Sequence, residues 1–184
     1  MKRIMVDLET LGLSPGCIIL SLGAGTFDTD TGEVGEDRFY QVISQESCLH
    51  SGLRAERAVL KWWEDQPVAA RAVLHESLSQ DTAIPLAIVL ENFNLWVKRL
   101  QTEEDELVEI WGNGSDFDNA ILQYTYRLLE LPTPYTGYNA RCYRTLKSIV
   151  PSIELIRQGT HHNALDDALS QAEHAVAIIE SLTS

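Results

Sequence analysis

The stretch that most constrains this chain is Ile4-Met5-Val6-Asp7-Leu8-Glu9-Thr10, a short apolar strand near the N-terminus with two carboxylates set into it. Successive strand side chains point to opposite faces, so Asp7 and Glu9 project from one face while Val6 and Leu8 enter the other. Carboxylates that close repel each other, and a divalent cation with oxygen ligands is the usual means of keeping both ionised. An edge strand with a solvated acidic face would show the same triplet. The pair therefore needs support from the rest of the chain.

At 184 residues and 45% hydrophobic composition, the chain is long enough for one domain, residues 1–184, with a full core. Its 14 basic and 27 acidic residues give a formal net charge of −13, which argues against a protein that coats a duplex by neutralising phosphates. Nucleic acid as a substrate is not excluded, because bound metal ions and a few local arginines can hold a phosphodiester. Cys17, Cys48 and Cys142 are odd in number and lack a Cys-x-x-Cys pair, so neither a disulfide framework nor a zinc site is expected. A reducing, cytoplasmic setting fits best. The apolar run after Lys2 and Arg3 is broken at once by Asp7 and Glu9, unlike a signal peptide. No apolar run approaches the ~18 residues of a membrane span, so a soluble protein with no membrane partner is expected.

Turn punctuation at Leu11 to Gly16 leads into an apolar strand over Cys17 to Phe27, then a turn at Asp28 to Gly32 and a third strand at about Asp37 to Ile43. Three strands joined by short turns imply an antiparallel meander. Asp28 and Asp30 lack EF-hand spacing, and turn chemistry explains them. From Glu56 to Gln66 the pattern is helical, with Trp62 and Trp63 ~100° apart, so that one enters the core and the other sits at the rim, where it could stack on a base. Pro67 and Pro85 open further helices, to about Leu74 and Leu100, and the stripe Leu86, Val89, Leu90, Phe93, Val97 and Leu100 reads as core. The acidic run Glu103 to Glu106 reads as a solvated loop.

A buried strand is expected from Leu107 to Trp111, ending in Gly112-Asn113-Gly114 and feeding a helix from Ser115 to about Leu131. The first acids of such a helix lie at the carboxyl edge of the sheet, where α/β proteins place their sites. Either Asp116 or Asp118 could supply a third ligand. Capping the helix and complementing its dipole is assigned to Asp116, and the ligand role to Asp118, which follows the core anchor Phe117. The segment from Gly137 to Arg157 is locally basic, with Arg141, Arg144, Lys147 and Arg157, and could hold backbone phosphates.

The last helix is expected to begin at His161-His162-Asn163 and run to about Leu182, burying Leu165, Ala168, Leu169, Ala172, Val176 and Ile179. Asn163 suits the N-cap with Asp166 at the third helical position, a near capping box that explains Asp166 without chemistry. Asp167 flanks the buried stripe, and a histidine five residues ahead of it can face the same cleft. Neighbours in a loop usually point apart, so only one of His161 and His162 is expected there.

Asp7-x-Glu9, Phe117-Asp118 in a strand-loop-helix setting, and His162-x-Ala164-x-x-Asp167 together resemble, in order, spacing and context, the three motifs of the DEDDh branch of the DEDD (DnaQ-like) 3′–5′ exonucleases. Asp7-Leu8-Glu9-Thr10-Leu11-Gly12, Lys61-Trp62-Trp63-x-x-Gln66, Trp111-Gly112-Asn113-Gly114 and Arg141-x-x-Arg144-Thr145-Leu146 further resemble the phage and bacterial exonucleases of the DexA type. One departure is that Gly112-Asn113-Gly114 replaces the His-Asn pair often seen ahead of the second-motif aspartate.

The resemblance implies a ribonuclease H-like α/β fold, with three antiparallel strands first and then parallel ones, flanked by helices. It implies that Asp7, Glu9, Asp118 and Asp167 hold two divalent cations, Mg²⁺ or Mn²⁺, ~4 Å apart, with His162 as general base. Thr10 and Leu11 would meet the terminal nucleotide and Arg144 the substrate backbone. The expected substrate is single-stranded DNA or RNA, cut from the 3′ end to nucleoside 5′-monophosphates, and a homo-oligomer is compatible with all of this. The competing class is a non-catalytic nucleic-acid-binding module on the same fold, which loss of a ligand or of the histidine would favour; none is lost here.

Overall fold

The computed structural model describes residues 2–101 and 108–183, so the acidic run at 103–106 and Leu107 lie outside the described residues. Its elements run β1 (Lys2–Thr10), β2 (Ile19–Phe27), β3 (Val34–Val42), α1 (Gln45–His50), α2 (Arg57–Glu64), α3 (Val68–Glu76), α4 (Leu86–Leu100), β4 (Val108–Gly112), α5 (Asp118–Leu128), β5 (Ala140–Cys142), α6 (Tyr143–Ile149) and α7 (Ala164–Thr183). The sheet order is β3-β2-β1-β4-β5. Strands β1 to β3 form the expected antiparallel meander, while β4 runs parallel to β1 and β5 parallel to β4.

The alternation in β1 assigns its two faces. Ile4, Val6 and Leu8 pack into the larger core with Phe93, Trp96 and Trp63 from the helices on that side. Met5, on the opposite face, packs with Ala168, Ala172, Ala175 and Val176 of α7 and with Tyr143 of α6. Asp7 and Glu9 share the Met5 face, so the acids are turned toward α7. The small residues of α7 let it lie close on the sheet, and β2 answers with Gly23, the register partner of Asp7. A Cβ at Gly23 would fall 2.2 Å from the Ala164 carbonyl carbon, so only glycine admits the start of α7 here.

Several boundaries differ from the sequence expectation. Helix α1 was not anticipated; it is a six-residue turn of helix capped by Ser44, whose hydroxyl accepts from Ser47 N–H at 3.3 Å. Helix α5 starts at Asp118 and not at Ser115. Its N-cap is Phe117, which makes no capping bond, so exposed Asp116 does not have the capping role assigned to it. Helix α7 starts at Ala164, after both histidines, with the Asn163 side chain accepting from Leu165 N–H at 3.1 Å and Asp166 N–H at 3.2 Å. Asp166 does not close the reciprocal half of a capping box. Its carboxylate reaches back further, to Thr160 N–H at 2.7 Å. Among the described residues no helix is long and apolar enough to cross a membrane.

Candidate active site

Strand β1 outruns its parallel neighbour, pairing with β4 only from Lys2 to Met5. Leu8 N–H is thus left without a ladder partner on that side, and Asp118 Oδ1 accepts it at 3.1 Å. Asp118 Oδ2 accepts from Asn113 N–H at 2.6 Å, so this carboxylate ties the ends of β1 and β4 together. Gly112 makes room for it, since a Cβ there would lie 2.9 Å from Asp118 Cβ. From the other side, the first turn of α7 brings in buried Asp167. One carboxylate oxygen from each of Asp7, Glu9 and Asp167 lies within 4.8 Å of the others. Asp118, the fourth expected ligand, is fully buried and belongs neither to this trio nor to the cleft lining; its charge reaches Asp7 and Glu9, and each of its oxygens keeps a second lone pair.

Burial and mutual repulsion oppose ionisation of the cluster. The carboxyl of Asp7 is pushed well above its usual range by burial, then by Asp118, Glu9 and Asp167. Burial, Asp167 and Asp118 push Glu9 up to about 8. Burial raises Asp118 to about 6, held down by the N–H groups of Asn113 and Leu8. Gln171 Nε2 donates to Asp7 Oδ1 at 2.7 Å, while its Oε1 is buried with no hydrogen-bond partner. Crowded carboxylates of raised pKa and an unfilled amide acceptor fit hydrated, oxygen-preferring divalent cations.

His162 joins the cluster from the loop before α7. Its φ is +65°, in the left-handed region, and its N–H donates to Asp167 Oδ2 at 2.8 Å. Its Nδ1 lies 3.9 Å from Glu9 Oε1. The two histidines do not point apart as expected. Their rings stack at 3.7 Å and 27°, and both line the cleft, because the left-handed turn at His162 brings its side chain back alongside that of His161. Burial lowers the His162 pKa, and His161 lowers it further. The adjacent tryptophans divide as the sequence predicts: Trp63 is buried and donates from Nε1 to Thr10 O at 2.9 Å, while Trp62, 43% exposed, meets the His162 ring edge-on at 4.9 Å.

The cleft holds about 240 Å³ and is lined by the acid trio, Thr10, both histidines, Trp62, Asn113, Lys147, Arg157 and Gln171, among others. Thr10 is thus part of the cleft wall. Leu11 is not: its side chain is in the core, its N–H donates to Ile18 O at 2.8 Å and its carbonyl accepts from Glu56 N–H at 2.7 Å. Arg144 is exposed beside the cleft, donating to Asn113 O at 2.6 Å. Two participants were not singled out as site residues from the sequence. Gln171 lies four residues after Asp167, a helical spacing that shares a face, so the pattern held that signal. Arg157, whose Nη1 lies 2.6 Å from Asp167 Oδ1, had only its place in the basic segment.

Solved structures of nucleases share this fold. The nuclease domain of 3′hExo, a DEDDh family member bound to rAMP, superposes with a TM-score of 0.66 at 17% identity, covering 98% of this chain and 92% of that one. Cell-death related nuclease 4 (CRN-4) gives 0.63 at 17% identity, covering 98% of this chain and 64% of that one. A full-length 3′-exonuclease gives 0.57 at 15%, covering 98% and 82%. The fold is thus that of the ribonuclease H-like DEDDh nucleases. No curated protein matches the chain in sequence. Residues 2–179 match the model of the Rv2179c-like 3′–5′ exoribonuclease domain, and the chain belongs to that family.

Proposed function

We propose that this chain is a cytoplasmic, single-domain 3′–5′ exonuclease, of the DexA type by its short motifs, that releases nucleoside 5′-monophosphates from single-stranded nucleic acid. RNA is the proposed substrate, on the strength of the exoribonuclease family and of the rAMP bound by 3′hExo. The observation that carries the reading is the Asp7, Glu9 and Asp167 trio within 4.8 Å, with His162 bonded through its N–H to Asp167 and its ring 3.9 Å from Glu9.

In this reading Asp7, Glu9, Asp118 and Asp167 hold two divalent cations, Mg²⁺ or Mn²⁺. When bound, these would lower the pKa of the attacking water and offset charge on the leaving 3′-oxygen. The His162 imidazole accepts the proton of that water, and its lowered pKa keeps it neutral and ready at neutral pH. Thr10 and Trp62 receive the terminal nucleotide, the indole by stacking on its base, which suits a substrate of any sequence. Arg144 and Lys147 face the backbone phosphates that follow.

The test is a comparison of matched single-stranded RNA and DNA oligonucleotides, with products separated by chromatography. Nucleoside 5′-monophosphates released faster from RNA are expected. Internal fragments would point to an endonuclease, and binding without cleavage to a non-catalytic module.

A further inference from the structure

Asp167 enters the cleft with both oxygens engaged. Oδ2 accepts from His162 N–H, and Oδ1 faces the Arg157 guanidinium at 2.6 Å. Among the described residues Arg157 is the one arginine or lysine ion-paired with the acid trio. It comes from the irregular segment between α6 and α7, whose backbone is pinned beyond it: Gln158 N–H donates to Ser170 Oγ at 2.9 Å and Thr160 N–H to Asp166 Oδ2 at 2.7 Å. The Arg157 side chain is nevertheless 46% exposed. A fixed backbone under a half-exposed side chain allows rotation without movement of the loop.

Charge decides where that side chain belongs. Without cations, the guanidinium offsets part of the repulsion among the buried carboxylates. With two divalent cations on four carboxylates the cluster is neutral, and a cation on Asp167 competes with Arg157 for the same oxygen and repels it. The scissile phosphodiester then adds one negative charge, and a guanidinium fork matches two phosphate oxygens. We infer that Arg157 is a counter-ion that exchanges partners: it holds Asp167 in the metal-free cleft and moves to the scissile phosphate of the substrate once cations bind. This rests on the metal reading above and adds a substrate-clamping residue to it.

The test is calorimetry on wild type, Arg157→Gln and Arg157→Lys, first with Mn²⁺ alone and then with adenosine 5′-monophosphate at saturating Mn²⁺. Removing the competitor should tighten Mn²⁺ binding by Arg157→Gln about tenfold, and losing the fork should weaken its monophosphate binding by about tenfold. Arg157→Lys keeps the competing charge without the fork, so its Mn²⁺ affinity should stay near wild type while monophosphate binding weakens. Weaker Mn²⁺ binding by Arg157→Gln would show that the arginine supports the ligand set, and unchanged monophosphate binding by both variants would show that it never reaches phosphate. Either result overturns the exchange. A wild type that takes up no Mn²⁺ would instead sink the metal reading, and the exchange with it.

Discussion

His162 joins two roles in one residue. A left-handed backbone in a non-glycine residue costs about 1–3 kcal/mol, and here it is held by the bond from His162 N–H to Asp167. The strained backbone therefore positions an acid while the ring faces the cleft. His162→Ala keeps that N–H, so turnover should fall roughly a hundredfold or more with Mn²⁺ affinity largely retained. Steady-state rates at saturating Mn²⁺ check this, and a greater loss from His161→Ala would exchange the roles of the two rings. Glu9 gives a second prediction. Its folded-state pKa, about 8, lies above the ordinary 4.5, so its proton stabilises the metal-free fold fully below 4.5 and is lost as pH rises through about 8. Metal-free protein should melt lower at pH of about 8.5 than at about 6, and Mn²⁺ should raise the melting temperature more at the higher pH. A melting temperature that rises with pH across this window would contradict the carboxylate repulsion described here.

At the scale of elements, the sequence carried what depends on short periods. The two-residue alternation in β1 put Asp7 and Glu9 on one face; in α7 the expected stripe was rotated, since Leu165, Leu169 and Ile179 are only half-buried while Ala164, Asp167, Gln171, Ala175 and Ile178 face inward. Residues whose place depends on distant partners were illegible. Leu11 was drawn into the core by a turn that pairs it with Ile18 and Glu56, and Arg157 meets an aspartate that no local pattern links to it. Asp116 lost its capping role because the chain makes one more turn before α5. The closest meeting of elements, Gly23 under the start of α7, was also invisible in sequence, since its reason is the backbone 2.2 Å from an added Cβ. Gly23→Ala should push the start of α7 off the sheet, costing about 1–3 kcal/mol by denaturant unfolding and moving Asp167 away from Asp7. Mn²⁺ affinity should therefore fall with stability. A Gly23→Ala protein with wild-type Mn²⁺ affinity would mean that α7 can shift without disturbing the cluster.

At the scale of the whole molecule, the site lies where an α/β sheet places it, at the carboxyl ends of the parallel strands β1 and β4. Helix α7 covers one face there, and α2 brings Trp62 to the rim. A chain of net charge −13 has little general attraction for phosphates, so the cleft must neutralise its own acids before a nucleic acid can enter. The most direct measurement is a time course with single-stranded RNA labelled at its 5′ end, on metal-stripped protein titrated with Mn²⁺. Cleavage should be absent in excess chelator, appear with Mn²⁺, and leave the label on steadily shorter fragments; Asp7→Ala should abolish it without unfolding the protein. Full-rate cleavage in excess chelator would contradict the cation-dependent cleft, and immediate release of the labelled mononucleotide would contradict its 3′–5′ direction.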